Sequence, residues 1–206
     1  MKIAILGGSF DPPHFGHILI ATQIKEHLGM DEIWLMPLFQ KNLQNKMFHK
    51  QLSSVADRFA MTKLLKNDFI KISDFEIIQN QTSYSLLTLE QLQKLHPKDT
   101  FYWILGSDQL AGFHKYYQWQ ELIKQNLIIF PREHTLWHLT ERVKEGLQLQ
   151  TIPKNVIVLQ NRDLILSNVS STAVRERVKK NLSIDFLVPK KIEEYIKKNK
   201  LYKIDG

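Results

Sequence analysis

The segment Gly7–His17, which reads GGSFDPPHFGH, holds the residues of this sequence whose types and spacing best suit chemistry. Its paired glycines, Gly7 and Gly8, let a phosphate group or a base approach the backbone without a side-chain clash. His14 and His17 stand at the start of a predicted helix, where free N–H groups and the helix dipole favour anions. Two imidazoles beside a phosphate chain can hydrogen-bond its oxygens and carry a proton near neutral pH, which suits phosphoryl-type transfer.

The two histidines also have other interpretations. A lone histidine at a helix start is more often structural than functional. Here, however, Pro12-Pro13 stiffens the turn ahead of two histidines. The His-x-x-His spacing can also chelate zinc, but no obvious third ligand lies nearby in the sequence. The pattern therefore favours an anion site over a structural pair or a zinc site.

A second candidate motif, Val169–Arg175, reads VSSTAVR at the start of a late predicted helix. Ser171 or Thr172 can cap this helix, and the cap leaves N–H groups for an anion. Arg175 lies one turn further and can add a guanidinium to the same anion. Taken alone, the segment is equally typical of an ordinary Ser/Thr cap followed by a surface arginine.

Strand-like and helix-like segments alternate along the whole chain. The predicted strands are 2–6, 32–36, 70–78, 101–105, 127–130 and 156–159, and the predicted helices are 18–28, 55–65, 85–95, 136–147, 172–180 and 192–198. This alternation predicts an α/β, Rossmann-like, doubly wound and mainly parallel sheet with helices on both faces. We expect one domain over residues 1–206, with the C-terminal helical segment from about 170 to 206 packed on it.

Such a sheet binds ligands beyond the carboxyl ends of its strands, near a switch in strand order. Both motifs, and the short segment Gly106-Ser107-Asp108, follow predicted strands. Asp108 can equally be a simple cap of a short helix. Arg132 follows the strand 127–130 and is placed to meet a phosphate. We therefore expect these side chains to converge at one edge of the sheet.

Composition excludes several classes of protein. No run of residues approaches the ~20 apolar residues that span a bilayer, and the absence of cysteine excludes disulfides, thiolate metal sites and a cysteine nucleophile. The net charge of +7 could attract nucleic acid, but the C-terminal lysines that supply much of it are typical of a solvated helix face. We expect a cytoplasmic protein without nucleic-acid or membrane partners, with an RNA-binding protein as the alternative.

The first motif resembles that of the HxGH nucleotidyltransferase superfamily, and GSFDPPHFGH is similar to the bacterial nicotinate mononucleotide adenylyltransferases. The related phosphopantetheine adenylyltransferases are shorter and usually carry threonine at the position of His14. The resemblance implies transfer of an adenylyl group from ATP to nicotinate mononucleotide, giving nicotinate adenine dinucleotide and pyrophosphate in NAD biosynthesis. The alternatives are another acceptor, nicotinamide mononucleotide or phosphopantetheine, or a nucleotide-binding regulator that has lost catalysis.

The resemblance also implies a role for each matching residue. His14 and His17 would be catalytic, with His17 stabilising the α-phosphate in the transition state. Mg²⁺ would be bound mainly through the ATP phosphates. The residues expected to bind ATP are Gly7, Gly8, Ser9, Phe10, His14, Gly16, His17, Gly106, Asp108, Ser171, Thr172 and Arg175. The residues expected to bind the acceptor are Lys50, Ser83, Tyr84, Ser85, Tyr116 and Arg132.

Two places depart from the family pattern. The stretch 38–48 replaces a proline-rich segment, and only the pair His49-Lys50 remains of it. Tyr116 stands where members often place a tryptophan that stacks on the nicotinate ring, although a tyrosine can also stack. Both departures concern the acceptor rather than ATP. The expected assembly is a monomer or a homodimer.

Overall fold

The protein is described by a computed structural model that covers residues 1–39, 52–80, 83–132 and 138–203. Its six strands form one sheet in the order β3-β2-β1-β4-β5-β6, and every neighbouring pair is parallel. The strands are β1 (Lys2–Gly8), β2 (Glu32–Pro37), β3 (Ile70–Ile72), β4 (Thr100–Gly106), β5 (Leu127–Phe130) and β6 (Val156–Val158). The predicted α/β, Rossmann-like architecture is confirmed, and the sheet is wholly parallel within the described residues.

Helices connect the strands and cover both faces of the sheet. They are α1 (Phe15–Leu28), α2 (Val55–Lys63), α3 (Phe75–Gln79), α4 (Ser85–Leu95), a 3₁₀ helix (Ser107–Lys115), α5 (Trp119–Leu122), α6 (Leu139–Gly146), α7 (Ser171–Lys179) and α8 (Lys190–Lys198). Parallel strands need such crossover connections, because a tight turn cannot bring the chain back in the same direction.

Alternate residues of the buried strands feed two separate hydrophobic clusters. Ala4 and Leu6 of β1 join a first-face cluster that holds buried residues of α1, α2, α7 and α8. Ile3 and Ile5 point to the opposite side and join a second-face cluster with α4, the 3₁₀ helix, α5 and α6. Ile192 and Ile196 bury α8 in the first-face cluster. The single domain over 1–206 stays a prediction.

One predicted strand differs from the structure. The apolar run 70–78 was expected to be one strand, but β3 ends at Ile72 and α3 begins at Phe75. The N–H of Ile78 donates to the carbonyl of Asp74 at 2.9 Å, and Ile78 is 72% exposed. The apolar run 70–78 therefore consists of a short buried strand followed by a helix, and this helix exposes Ile78 to solvent. The short helix that the sequence offered as an alternative at Asp108 is present as the 3₁₀ helix, but its N-cap is Gly106.

Strand order reverses between β1 and β4, which lie side by side at the centre of the sheet. From β1 the chain runs outward to β2 and β3, and from β4 it runs the other way to β5 and β6. A reversal of this kind opens a crevice at the carboxyl ends of the two central strands. Gly8 ends β1 and Gly106 ends β4, so the first motif and the Gly106–Asp108 segment both begin there. Within the described ranges, no helix has the length and apolar character needed to cross a membrane.

Candidate active site

The two histidines of the first motif are locked together at the start of α1. His14 is the N-cap of the helix and is only 2% exposed. Its backbone N–H donates to Nδ1 of His17 at 3.1 Å, and the two ring centroids are 3.8 Å apart. Because Nδ1 of His17 is an acceptor, the proton of the neutral ring sits on Nε2. His17 is thereby held in the tautomer that offers Nε2–H to a ligand.

Both imidazoles are held neutral in the free protein. Burial lowers the pKa of His14 to about 3, and the positive charge of Arg132 acts in the same direction. Burial also lowers the pKa of His17 well below its ordinary value, with further contributions from His14 and Arg132. The sequence suggested imidazoles that carry a proton near neutral pH. The structure instead presents them as neutral hydrogen-bonding groups.

The depressed pKa of His14 makes the stability of the protein fall on the acid side. The unfolded chain protonates this histidine near pH 6.5, whereas the folded protein keeps it neutral down to about pH 3. The unfolded state binds more protons in that window, so the free energy of unfolding should fall by about 2 kcal/mol between pH 7 and pH 5 through His14 alone. Denaturant titrations at the two pH values measure this loss. His14→Asn, which keeps a good N-cap, should lose less, and an equal loss would contradict the prediction.

The first motif is hydrogen-bonded directly to the second. Ser171 Oγ donates to the carbonyl of Pro12 at 2.8 Å, and Arg175 Nη1 donates to the carbonyl of Asp11 at 2.5 Å. Arg175 Nη2 also donates to Thr172 Oγ1 at 3.2 Å. The N-cap of α7 is Ser170, whose side chain accepts from the N–H of Ala173. The predicted cap, Ser171 or Thr172, was therefore wrong by one position, and Ser171 binds the neighbouring loop instead.

Gly16 marks the closest approach of the two motifs. A Cβ on this residue would lie 2.9 Å from the His14 ring and 3.3 Å from the carbonyl oxygen of Val169. The absence of a side chain therefore lets the His14 ring fold over the helix start while the second motif packs beside it. Gly16 serves this packing whether or not it also contacts ATP.

The residues that precede the histidines are more deeply embedded than expected. A Cβ on Gly7 would lie 2.7 Å from the Trp103 ring, so this glycine accommodates core packing. Phe10 is 1% exposed, and its ring centroid is 4.8 Å from that of His17. Gly8 has ordinary space, with only the Phe10 ring near its Cβ position. Of this group, Gly8 remains best placed for a close approach by a ligand.

A third segment brings Asp108 and Arg132 to the same crevice. The N–H of Arg132 donates to Ser107 Oγ at 3.0 Å. A Cβ on Gly106 would lie 2.2 Å from Asp108 Oδ1 and 3.0 Å from Arg132 Cγ, so both side chains crowd this glycine. Arg132 was predicted on the acceptor side. Its positive charge also lowers the pKa of both histidines.

The predicted acceptor residues Ser83, Tyr84 and Ser85 lie together at the start of α4. Tyr84 is the N-cap of this helix, so neither serine caps it. Beneath them is the buried carboxylate of Glu76, which accepts from Thr88 Oγ1 at 2.9 Å and whose pKa is raised by burial. Sequence reasoning did not find Glu76, because it lies in the segment predicted as a strand.

The aromatic partner of Tyr84 is Tyr117. Their ring centroids are 4.6 Å apart. Tyr116, the residue predicted to stack on the acceptor, packs its ring against Phe113 and donates its hydroxyl to Gln109 Oε1 at 3.0 Å. Burial raises the pKa of Tyr116 to about 12, with a smaller contribution from Asp108. The role of Tyr116 stays a prediction, and Tyr117 becomes a second candidate for it. Lys50 lies outside the described residues.

A buried arginine that the sequence did not single out also holds the first motif. Arg58 of α2 is 1% exposed. Its Nη1 donates to the carbonyl of Ser9 at 2.8 Å, and its Nη2 donates to the carbonyl of Leu38 at 2.9 Å. The available signal was helical spacing, since Arg58 falls on the same stripe as Val55 and Thr62, three residues after one and four before the other. That position predicts burial, but it does not reveal the partner.

Sequence comparison with known proteins assigns this chain to a family. The cytidylyltransferase-like family matches residues 5–177. The nicotinate-nucleotide adenylyltransferase of Bacillus subtilis is 33% identical over 207 residues, covering 98% of this chain and 98% of that protein. The probable nicotinate-nucleotide adenylyltransferase of Shewanella pealeana is 34% identical over 217 residues, covering 100% and 98%. The chain belongs to the nicotinate-nucleotide adenylyltransferase family.

A solved member of the nicotinate-nucleotide adenylyltransferase group has the same fold. Plasmodium falciparum nicotinic acid mononucleotide adenylyltransferase complexed with NaAD superimposes with a TM-score of 0.76, covering 98% of this chain and 97% of that one at 24% identity. The two sequence relatives confirm the predicted family resemblance over the length of the chain. Among the described residues of this adenylyltransferase, no three histidine, aspartate or glutamate side chains are arranged to hold a metal ion.

Proposed function

We propose that this protein transfers the adenylyl group of ATP to nicotinate mononucleotide, forming nicotinate adenine dinucleotide and pyrophosphate as a step of NAD biosynthesis. The observation that carries the proposal is the neutral His14–His17 pair at the reversal of strand order, hydrogen-bonded in a fixed tautomer. Relatives named for this activity match the chain from end to end. Their names support nicotinate mononucleotide as the acceptor and ATP as the adenylyl donor.

The chemistry requires positioning and charge stabilisation more than acid–base catalysis. A phosphate oxygen of the acceptor forms a bond to the α-phosphorus of ATP, the bond from that phosphorus to the bridging oxygen breaks, and pyrophosphate leaves with the electron pair. The acceptor phosphate is already ionised, so no proton has to be removed from it. Nε2–H of His17 donates to a non-bridging α-phosphate oxygen as negative charge develops there.

The triphosphate end of ATP would meet Arg132, Arg175 and the start of α7. Arg175 already uses Nη1 and Nη2 for Asp11 and Thr172, which pre-orients the guanidinium, and a guanidinium has five N–H donors in all. His14 contributes a further neutral donor beside them. The two arginines supply only two positive charges, because both imidazoles are uncharged. The site therefore suits a triphosphate whose negative charge is partly neutralised before it binds.

Mg²⁺ bound through the ATP phosphates would supply that neutralisation. The site residues predicted after β4 include one carboxylate, the exposed Asp108. One carboxylate alone is too few ligands for a resident metal, so these residues suit a metal that arrives bound to ATP. One carboxylate with phosphate oxygens and waters is a common arrangement for Mg²⁺. Asp108 would hold a water of the hydrated ion or the ribose hydroxyls.

Nicotinate mononucleotide would lie between the start of α4 and the histidines. Backbone N–H groups of the turn at Ser83, Tyr84 and Ser85 would receive its carboxylate, and the Tyr84–Tyr117 pair offers aromatic surface to the pyridine ring. A carboxylate is favoured over an amide at a helix start, because the dipole there attracts anions. A monomer or homodimer in the cytoplasm stays a prediction.

A comparison of acceptors tests the proposed function. The protein is incubated with ATP, Mg²⁺ and, in separate reactions, nicotinate mononucleotide, nicotinamide mononucleotide or phosphopantetheine, and pyrophosphate release and product mass are measured. We expect nicotinate mononucleotide to have the highest kcat/KM. A higher kcat/KM for either other acceptor would reassign the substrate. Salt-sensitive RNA binding without turnover of any acceptor would favour the RNA-binding alternative.

A further inference from the structure

The C-terminal segment reaches back to the first motif through one hydrogen bond. The hydroxyl of Tyr202, which follows α8, donates to Oδ1 of Asp11 at 2.6 Å. The Asp11 side chain is fully buried, and its other oxygen accepts from the N–H of Ser53 at 3.2 Å. Burial and the negative charge of Asp11 raise the pKa of Tyr202, so its hydroxyl remains a donor over the whole physiological pH range.

Asp11 lies in the centre of a loop that other elements already hold by its backbone. Arg58 holds the carbonyl of Ser9, Arg175 holds that of Asp11 itself, and Ser171 holds that of Pro12. These bonds come from α2 and α7. Tyr202 adds a bond from the end of the chain, and it acts on the side chain of Asp11 rather than on the backbone.

The Asp11 carboxylate also faces the arginine of the second motif. Arg175 Nη1 is 2.5 Å from the Asp11 carbonyl but 4.0 Å from its carboxylate oxygen Oδ2. A carboxylate that lost the Tyr202 hydroxyl would be drawn toward this guanidinium, because a buried charge seeks a partner. The carbonyl and the carboxylate of Asp11 would then compete for the guanidinium of Arg175. Both the loop that leads to His14 and the arginine expected to bind ATP would shift.

We propose that Tyr202 is a positioning residue of the ATP site, which fixes the Asp11 carboxylate and through it the loop that leads into His14. The C-terminal segment is then part of the nucleotide site rather than only a cover on the first face of the sheet. This assignment rests on the proposed function for its kinetic readout, but not for its binding readout.

Tyr195 provides a matched control within the same segment. It lies on α8, it packs against the same first-face cluster as Tyr202, and its hydroxyl also donates to an aspartate, Asp57 Oδ1, at 2.9 Å. Asp57 belongs to α2, where it pairs with the N-cap Ser54. Tyr195→Phe therefore removes a similar bond from the same segment without removing a bond to the first motif.

The experiment compares Tyr202→Phe with Tyr195→Phe in the full chain. We expect Tyr202→Phe to raise the Kd of a non-hydrolysable ATP analogue and the KM for ATP about fivefold, and to lower kcat by a similar factor. The KM for the acceptor should change less than about twofold. Tyr195→Phe should lower the melting temperature while leaving the Kd and both KM values unchanged. Equal effects of the two variants on the Kd, or no effect of Tyr202→Phe on it, would overturn the assignment.

A double-mutant cycle tests whether Tyr202 acts through Asp11. In an Asp11→Ala background, Tyr202→Phe should raise the Kd of the ATP analogue less than about twofold, because the side chain that Tyr202 holds is gone. A full fivefold effect in that background would also overturn the assignment. Calorimetric binding of the analogue needs no turnover. Failure of the proposed reaction would therefore appear as an inactive wild-type protein, distinct from a failure of Tyr202→Phe to weaken analogue binding.

Discussion

His17→Ala is expected to lower kcat by a factor of about 10² or more while ATP still binds. The imidazole is half-buried and uncharged, and its Nδ1 accepts from the His14 N–H. Nε2–H is therefore the donor that can respond when charge develops on the α-phosphate. A fixed donor of this kind stabilises the transition state more than the bound substrate, so the loss should fall on kcat rather than on ATP affinity. Steady-state kinetics and calorimetry with an ATP analogue measure the two quantities.

The alanine variant also removes a cap from α1, so a second variant separates catalysis from folding. Glutamine at the third helical position can accept from the N-cap N–H, as in a capping box. His17→Gln should therefore melt close to the wild-type temperature and still show a kcat loss of about 10². A His17→Gln variant with wild-type kcat would remove the catalytic role assigned to this histidine.

Arg175→Ala should weaken ATP binding and, in addition, reduce the free energy of unfolding by about 2 kcal/mol. From the sequence, the expected effect was chiefly on ATP. In the structure Arg175 is 9% exposed, and its guanidinium donates to the Asp11 carbonyl and to Thr172 Oγ1. Removing it leaves the buried Asp11 carboxylate without the guanidinium that lies 4.0 Å from its Oδ2. Denaturant titration and calorimetric ATP titration measure the two effects separately.

Arg177 of the same helix is the matched control for Arg175. It is exposed, and its Nε donates to the carbonyl of Ser183 at 2.6 Å, away from the first motif. Arg177→Ala should leave ATP affinity unchanged within about twofold, since a surface contact of this kind is worth little. If Arg175→Ala bound ATP normally, or if Arg177→Ala weakened ATP binding as much, the assignment of Arg175 to the triphosphate would fail.

Local patterns in the sequence determined most of the architecture. Alternating strand-like and helix-like runs predicted the parallel sheet, and the Gly-Gly turn with two histidines predicted an anion site at a helix start. Both inferences depend on residues within about ten positions of one another, where backbone propensity and capping act directly. The same local character explains the error over residues 70–78, since a short apolar run does not distinguish a strand end from a following helix.

Only the tertiary structure decided how the site is held together. The bonds from Tyr202 and Arg175 to Asp11 join residues 191 and 164 positions apart, and Arg58 reaches Ser9 across 49 positions. No local pattern encodes such partners, because each bond depends on where the folded sheet brings the carboxyl ends of its strands. The neutral state of the histidines was decided in the same way. Burial and the nearby charge of Arg132 lower their pKa values, and both arise only when the chain is packed.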